Sequence, residues 1–247
     1  MNIIGVIPSR YDSTRFPGKP LKKINGKEMI DIVYENSMRS NKLNNVIVAA
    51  KDKVIYDHCK KRDINVFLTS GKDRCGTDAV YEVSRKHDAD FYVNIQGDEP
   101  MLKPKTIGDF VTSLVSEHKI YHLIDTFNSM TICSKDDLSN KNVPKVVVNK
   151  HNFCIFMSRF AIPYKKSSYS PIRYKEIGLH AYSESSLERF KRHEKRYIEK
   201  AESIEFLRYI EYDEIVKMIY LDIDYITHAV DVPSDIELVE KLIGSQV

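Results

Sequence analysis

Long apolar runs are missing from this 247-residue chain, and so are paired cysteines and any large net charge. Without about 20 consecutive apolar residues no helix spans a bilayer. The N-terminus passes from Met1 straight into the short apolar stretch Ile3 to Ile7, with no basic segment before it, so a cytoplasmic protein without membrane contact is expected. Cys59, Cys75, Cys133 and Cys154 lie far apart and form no CxxC pair, which argues against a zinc cage or a disulfide framework and for reduced thiols. The formal net charge of +3 is small beside 38 basic and 35 acidic residues, so nucleic acid is not an expected partner and each basic residue has to be judged locally.

What is present suits one large α/β unit, since 42% hydrophobic residues can fill a full core. Asn2 to Ile7 has the β-branched density of a buried parallel strand, and Pro8 ends it by withdrawing a backbone donor. Met29, Ile30, Ile32 and Val33 begin a helix after the Asn25-Gly26 turn. Strands are then expected at 45–50, 65–69 and 90–95, alternating with helices at 53–62, capped by Asp52, and at 77–86. This alternation predicts a doubly wound, mostly parallel sheet, in which ligands bind beyond the carboxyl ends of the strands. From about Ile120 the pattern becomes irregular: 123–133, 145–148 and 153–158 read as strands of a smaller antiparallel excursion, followed by helices at 187–195, 202–211 and 234–242 and a strand at 216–221.

The loop after the first strand carries Arg10, Arg15 and Lys19, three cations that can surround a polyphosphate, and Gly18, which permits close backbone approach. It contains neither GxGxxG nor GxxxxGK[ST], so dinucleotide-binding and P-loop readings fit poorly. On composition alone it could equally be a solvated loop of scattered charges.

The stretch Ile-Pro-Ser-Arg-Tyr-Asp-Ser-Thr-Arg-Phe-Pro-Gly-Lys-Pro-Leu, residues 7 to 21, closely resembles the opening signature of 3-deoxy-manno-octulosonate (Kdo) cytidylyltransferases. Similar pieces follow in order: Ile24-Asn25-Gly26-Lys27, Cys75-Gly76-Thr77, Asn94 to Pro100, Lys145-Val146-Val147, Ser158 to Pro163, Ile177-Gly178-Leu179 and Val230 to Asp235. The resemblance implies a Rossmann-like fold spanning 1–247 as one nucleotidyltransferase domain, with 120–165 as an excursion that builds a homodimer. It implies CTP and an acidic sugar as substrates and Mg2+ as cofactor. Arg10, Arg15, Lys19 and Asp98 would be catalytic, with Asp98 and Asp231 as metal ligands. Ser13, Cys75, Gly76, Thr77 and Gln96 would join Arg10 and Lys19 in holding the nucleotide.

The two aspartates have independent support, because Gln96-Gly97-Asp98-Glu99-Pro100 sets carboxylates at a strand terminus where a hard cation carrying a nucleotide would sit. Asp98 could otherwise be a turn residue and Asp231 a turn before Pro233; Glu99 and Asp235 read as capping or surface acids. On the sugar side the resemblance points to Gln96, Arg159, Glu176, Tyr182, Glu205 and Arg208. Here the chain departs from the family pattern: Glu176 stands where the family has His, His180 where it has Tyr, and Phe206 where it has Gln. An acid in place of an imidazole favours Kdo or a related 2-ulosonic acid, one candidate being an analogue whose amine pairs with Glu176 or Glu205 while Arg159 or Arg208 holds the carboxylate. Alternatively, Glu176 pairs with Arg208 or with solvent and the substitutions compensate one another.

Overall fold

In the computed structural model, which describes residues 1–13, 15–72 and 75–245, the elements alternate as far as the middle of the chain. They run β1 (Ile3–Ser9), a 3-10 turn (Lys19–Leu21), β2 (Lys23–Ile24), β3 (Lys27–Glu28), α1 (Met29–Met38), β4 (Asn45–Ala50), α2 (Lys53–Lys61), β5 (Val66–Leu68), α3 (Gly76–Ser84), β6 (Phe91–Ile95) and α4 (Pro104–Ile120). The second half contributes β7 (Thr126–Ile132), α5 (Lys135–Ser139), β8 (Lys145–Val148), β9 (Cys154–Ser158), β10 (Tyr174–Tyr182), α6 (Glu184–Arg192), α7 (Tyr197–Glu202), α8 (Leu207–Glu211), β11 (Lys217–Tyr220) and α9 (Ser234–Ser245).

The main sheet has the order β11-β7-β10-β6-β1-β4-β5, with β8 pairing β10 and β9 pairing β8. From β6 to β5 every neighbour is parallel, whereas β10 lies antiparallel between β6 and β7. Successive side chains of β1 enter opposite cores: Ile3 and Ile7 pack with α1, α2 and α4 residues such as Val33, Ile55 and Phe110, while Ile4 and Val6 pack with Val80, Leu187 and Leu207 from α3, α6 and α8. Burial on both faces explains why the strands read as continuous apolar runs. The fold is the expected α/β sheet flanked by helices, and β8 with β9 forms the expected antiparallel pair. Among the described residues no helix is long and apolar enough to cross a membrane.

Several details differ from the sequence expectations. The stretch 123–133, expected as a strand of the antiparallel excursion, supplies β7 inside the main sheet, parallel to β11. The helix expected at 202–211 is two short ones, interrupted at Ser203, whose φ of 52° is incompatible with helix continuation. Asp52 stands at the N-cap of α2, but its carboxylate accepts the Tyr11 N–H at 2.5 Å and so anchors the loop after β1. The elements α4 and β10 have no counterpart in the sequence pattern.

A third, smaller core governs the site. Phe16, Ile24, Met29, Met101, Val230 and Val239 form one buried cluster. Three of these lie within a few residues of Arg15, Asp98 and Asp231, so apolar burial brings three distant chain segments together.

Candidate active site

The carboxyl ends of β1 and β6 open into a cleft of about 1050 Å³ lined by Arg10, Ser13, Arg15, Lys19, Cys75, Gly76, Gln96, Asp98 and Asp231, and further along by Arg159, Lys175, Glu176 and Glu205. Two glycines allow this closeness. Gly18 has φ +69°, and its N–H donates to the Tyr11 carbonyl at 2.9 Å, closing the loop. A Cβ on Gly97 would come within 2.9 Å of the Pro8 carbonyl oxygen, so only glycine lets the Asp98 turn lie against the end of β1.

Lys19 is the centre of the nucleotide half. Its ammonium donates to Asp98 Oδ2 at 2.7 Å and to the Val230 carbonyl at 2.8 Å, and lies 3.8 Å from Asp231 Oδ1. Arg15 reaches the same Asp231 oxygen at 3.0 Å. The Val230 N–H donates to the Asp98 carbonyl at 2.9 Å, which ties the two carboxylate segments together through the backbone. Asp235 then fixes the second segment, accepting the Asp231 and Val232 N–H groups at 2.7 and 2.9 Å. Asp98 and Asp231, 133 positions apart by number, are therefore joined by one ammonium.

This donor set suits a hard divalent cation: two carboxylates converge on one point, and Asp98 Oδ1 is buried without a hydrogen-bond partner among the described residues. Glu99, expected at the surface or as a cap, instead lines the cleft, and burial together with the neighbouring Asp98 pushes its pKa up to about 8. A second acidic group, Glu28, Asp31 and His58, joins the start of α1 to α2, but Arg62 already lies 3.0 Å from Glu28 and 3.7 Å from Asp31.

Beside this centre, α3 presents its N-terminus to the cleft with Cys75 at the N-cap. Thr77 does not cap it. The carboxylate of Glu205 does so from outside, accepting Gly76 N–H at 3.3 Å, Thr77 N–H at 3.1 Å and the Thr77 hydroxyl at 2.6 Å. Burial, followed by the negative charge of Glu205, raises the Cys75 thiol far above its ordinary range and keeps it neutral.

A family model described as Cytidylyltransferase matches residues 4–219. The chain belongs to the cytidylyltransferase family. The 3-deoxy-manno-octulosonate cytidylyltransferase of Koribacter versatilis (strain Ellin345) is 35% identical over 244 residues, covering 98% of this chain and 90% of that one. That of Parabacteroides distasonis is 39% identical over 250 residues, covering 96% of each. A solved CMP:2-keto-3-deoxy-manno-octonic acid synthetase complexed with CTP superposes with a TM-score of 0.90 at 29% identity, covering 100% of both chains. The likeness carried by residues 7 to 21 thus extends over the whole length.

In this cytidylyltransferase the other half of the cleft is organised differently from the sequence expectation. Arg159 donates four of its guanidinium N–H groups to backbone carbonyls, those of Glu202, Lys141, Asn142 and Ser203, at 2.6–3.2 Å. Arg208 is buried in a bidentate pair with Glu199, both bonds 2.8 Å, and stacks over Phe190. The alternative pairing of Glu176 with Arg208 is therefore not formed. Glu176 instead accepts from Asn128 Nδ2 at 2.7 Å and lies 3.2 Å from His180 Nε2. Tyr182 is fully buried, 3.3 Å from the Thr77 hydroxyl, and burial raises its pKa well above the ordinary value, so it supports the wall from behind.

Sequence reasoning missed several residues that shape this half. Lys145 is fully buried, and its ammonium donates to the carbonyls of Asn140, Val143 and Arg159 at 2.7–2.8 Å, fixing the loop that closes the cleft. Lys175 pairs with Asp137 of α5 at 2.8 Å. The matching Lys145-Val146-Val147 motif was a signal for the first; a surface-like acid in a five-residue helix gave none for the second.

Proposed function

We propose that this cytidylyltransferase joins the CMP moiety of CTP to an acidic 2-ulosonic sugar of the Kdo type, releasing pyrophosphate. The observation that carries the reading is the convergence of Lys19 and Arg15 on Asp98 and Asp231 at the carboxyl edge of the sheet. The names of its relatives support Kdo as the sugar class, and the CTP complex of the structural neighbour supports the nucleotide.

In this mechanism the anomeric 2-hydroxyl attacks the α-phosphorus in line with the departing pyrophosphate, without a covalent enzyme intermediate. Arg10, Arg15 and Lys19 surround the β- and γ-phosphates and neutralise the charge that builds on them. Ser13 supports the same loop, accepting the Phe16 N–H at 3.4 Å. A triphosphate drawing the Arg15 and Lys19 cations to itself exposes the Asp98 and Asp231 oxygens they hold. Those two carboxylates would hold Mg2+, which would supply electrostatic stabilisation of the phosphate charge. Cys75 and Gly76 bound the cytosine end, where backbone groups suffice, so the Cys75 side chain need not contact the base.

For the sugar, Gln96 and Glu176 are among the cleft-lining polar groups, and Arg159 keeps one guanidinium N–H not engaged by the four carbonyls. Among the described residues, the Glu176 carboxylate has polar partners only in Asn128 and His180, with no arginine or lysine on it. That supports a substrate with an amine opposite Glu176. The exposed Ile155, Phe160 and Tyr164, on and after β9, support the 120–165 excursion as part of a homodimer face. The overall reading is of a cytoplasmic enzyme. Pyrophosphate release measured with the four nucleoside triphosphates against Kdo, its amino analogues and other 2-keto sugar acids tests it. Activity restricted to CTP and a 2-ulosonic acid is expected, and turnover with another base or with no acidic sugar would overturn it.

A further inference from the structure

The segment that separates α7 from α8 does more than line the cleft. Its φ-positive Ser203 turns the chain so that Glu205 points at the first turn of the nine-residue α3, more than 120 positions earlier. Both carboxylate oxygens are used there, on two backbone N–H groups and one hydroxyl. The N-terminus of α3 is thereby filled by a protein carboxylate, so this helix offers the triphosphate no anion site and the phosphates are left to the cations of loop 10–19. Gly76 itself rests on the strand ends, where a Cβ would lie 3.6 Å from Asn94 Nδ2 and 3.8 Å from Pro8.

The next residue carries the same link to the opposite wall. The Phe206 ring lies edge-on to His180 with centroids 4.7 Å apart and stacks on Tyr182 at 5.7 Å. Tyr182 closes the circuit through its hydroxyl, 3.3 Å from Thr77 Oγ1. The pair Glu205-Phe206 therefore touches the nucleotide side with one side chain and the sugar side with the other.

We infer that Glu205 is a positioning residue for cytosine recognition, which holds the Cys75-Gly76 backbone in register from the sugar-side segment, and not a residue that binds the sugar. This rests on the functional reading above. Binding of CTP and of UTP to the full chain in the presence of magnesium, without sugar, measured by titration calorimetry, tests it. In E205A, affinity for CTP is expected to fall about tenfold, the scale of a lost helix cap, and the CTP-over-UTP preference to narrow. In E205Q, whose amide oxygen still accepts from Thr77, CTP affinity is expected to stay within about threefold of wild type. Thr77→Val removes the 2.6 Å bond without touching Glu205 and is expected to weaken CTP binding in the same direction. Adding it to E205A should cost little more than E205A alone.

Unchanged CTP affinity in E205A and T77V, with a raised KM for the sugar alone, would overturn the inference and leave the assigned reaction standing. Should E205A fail to fold, T77V and E205Q decide by the same comparison. A wild-type chain that bound no CTP would overturn both.

Discussion

Removing Glu199 should unfold this protein more readily than any change at the rim of the cleft. Arg208 and Glu199 are 5% and 2% exposed, and their bidentate pair is completed by Arg208 Nη1 donating to the Phe190 carbonyl at 3.1 Å. Burial opposes the guanidinium charge, but the bonds it donates to Glu199 outweigh this and hold the pKa above its ordinary range, and because an arginine in a protein stays protonated even without a partner, the charge remains when Glu199 is lost. Glu199→Ala then leaves an uncompensated cation in the core, which costs roughly 3–5 kcal/mol. For a chain of this size the corresponding fall in Tm is about 6–20 °C. Thermal and urea denaturation followed by circular dichroism measure it, with Glu199→Ala/Arg208→Met as the control that removes the stranded charge and recovers part of the loss. A Glu199→Ala Tm within about 2 °C of wild type, less than one kcal/mol, would refute the argument. It would also return Arg208 to the pool of cations available to a sugar carboxylate.

Other outcomes follow from the same contacts. Lys19→Ala and Asp98→Asn should each lower kcat at least about a hundredfold, the scale of a removed transition-state charge contact, while the circular dichroism spectrum is unchanged. Cys75→Ser should leave kcat and KM for CTP within about twofold, because the half-buried neutral thiol packs against the core beneath it as a small group. Burial pushes Asp125 up, but hydrogen bonds from Arg189, Ser183 and Ser185 outweigh this and hold it below the ordinary carboxylate range. Its stabilising contribution is complete above the unfolded-state pKa of about 4 and is lost as pH falls through the lower folded value. Urea midpoints from pH 5 down to pH 2 should therefore decline less steeply in Asp125→Asn than in wild type.

The parallel half of the sheet was legible because its strands are buried on both faces and so read as unbroken apolar runs, and because each is followed by a periodic helix. Strand β10 was not: Lys175-Glu176-Ile177-Gly178-Leu179-His180 mixes charges into a central strand, where polar side chains serve the cleft and a register shift between Ile177 and His180 breaks the alternation. In α4, Pro104 opens a 17-residue helix that a sparse apolar face and an internal Gly108 obscure. The cations of loop 10–19 and Asp98 could on composition alone be solvated charges and a turn residue, and it was the resemblance carried by residues 7 to 21 and 94 to 100 that singled them out; the structure sets all four along one cleft. The commitments of Arg208 to Glu199, of Glu205 to α3 and of Lys145 to three carbonyls depend on which chain segments meet, and one-dimensional spacing does not encode that.

The cluster of Phe16, Met101, Val230 and Val239 has an implication for when the enzyme can first work. Phe16 and Met101 leave the ribosome long before α9, yet their apolar contacts are finished only by the helix that carries Val239. A nascent chain still lacking that helix can assemble its β1-to-β6 sheet but has nothing to press Asp231 against Lys19. Catalytic competence should thus appear late and abruptly during synthesis, rather than growing with the length of folded chain.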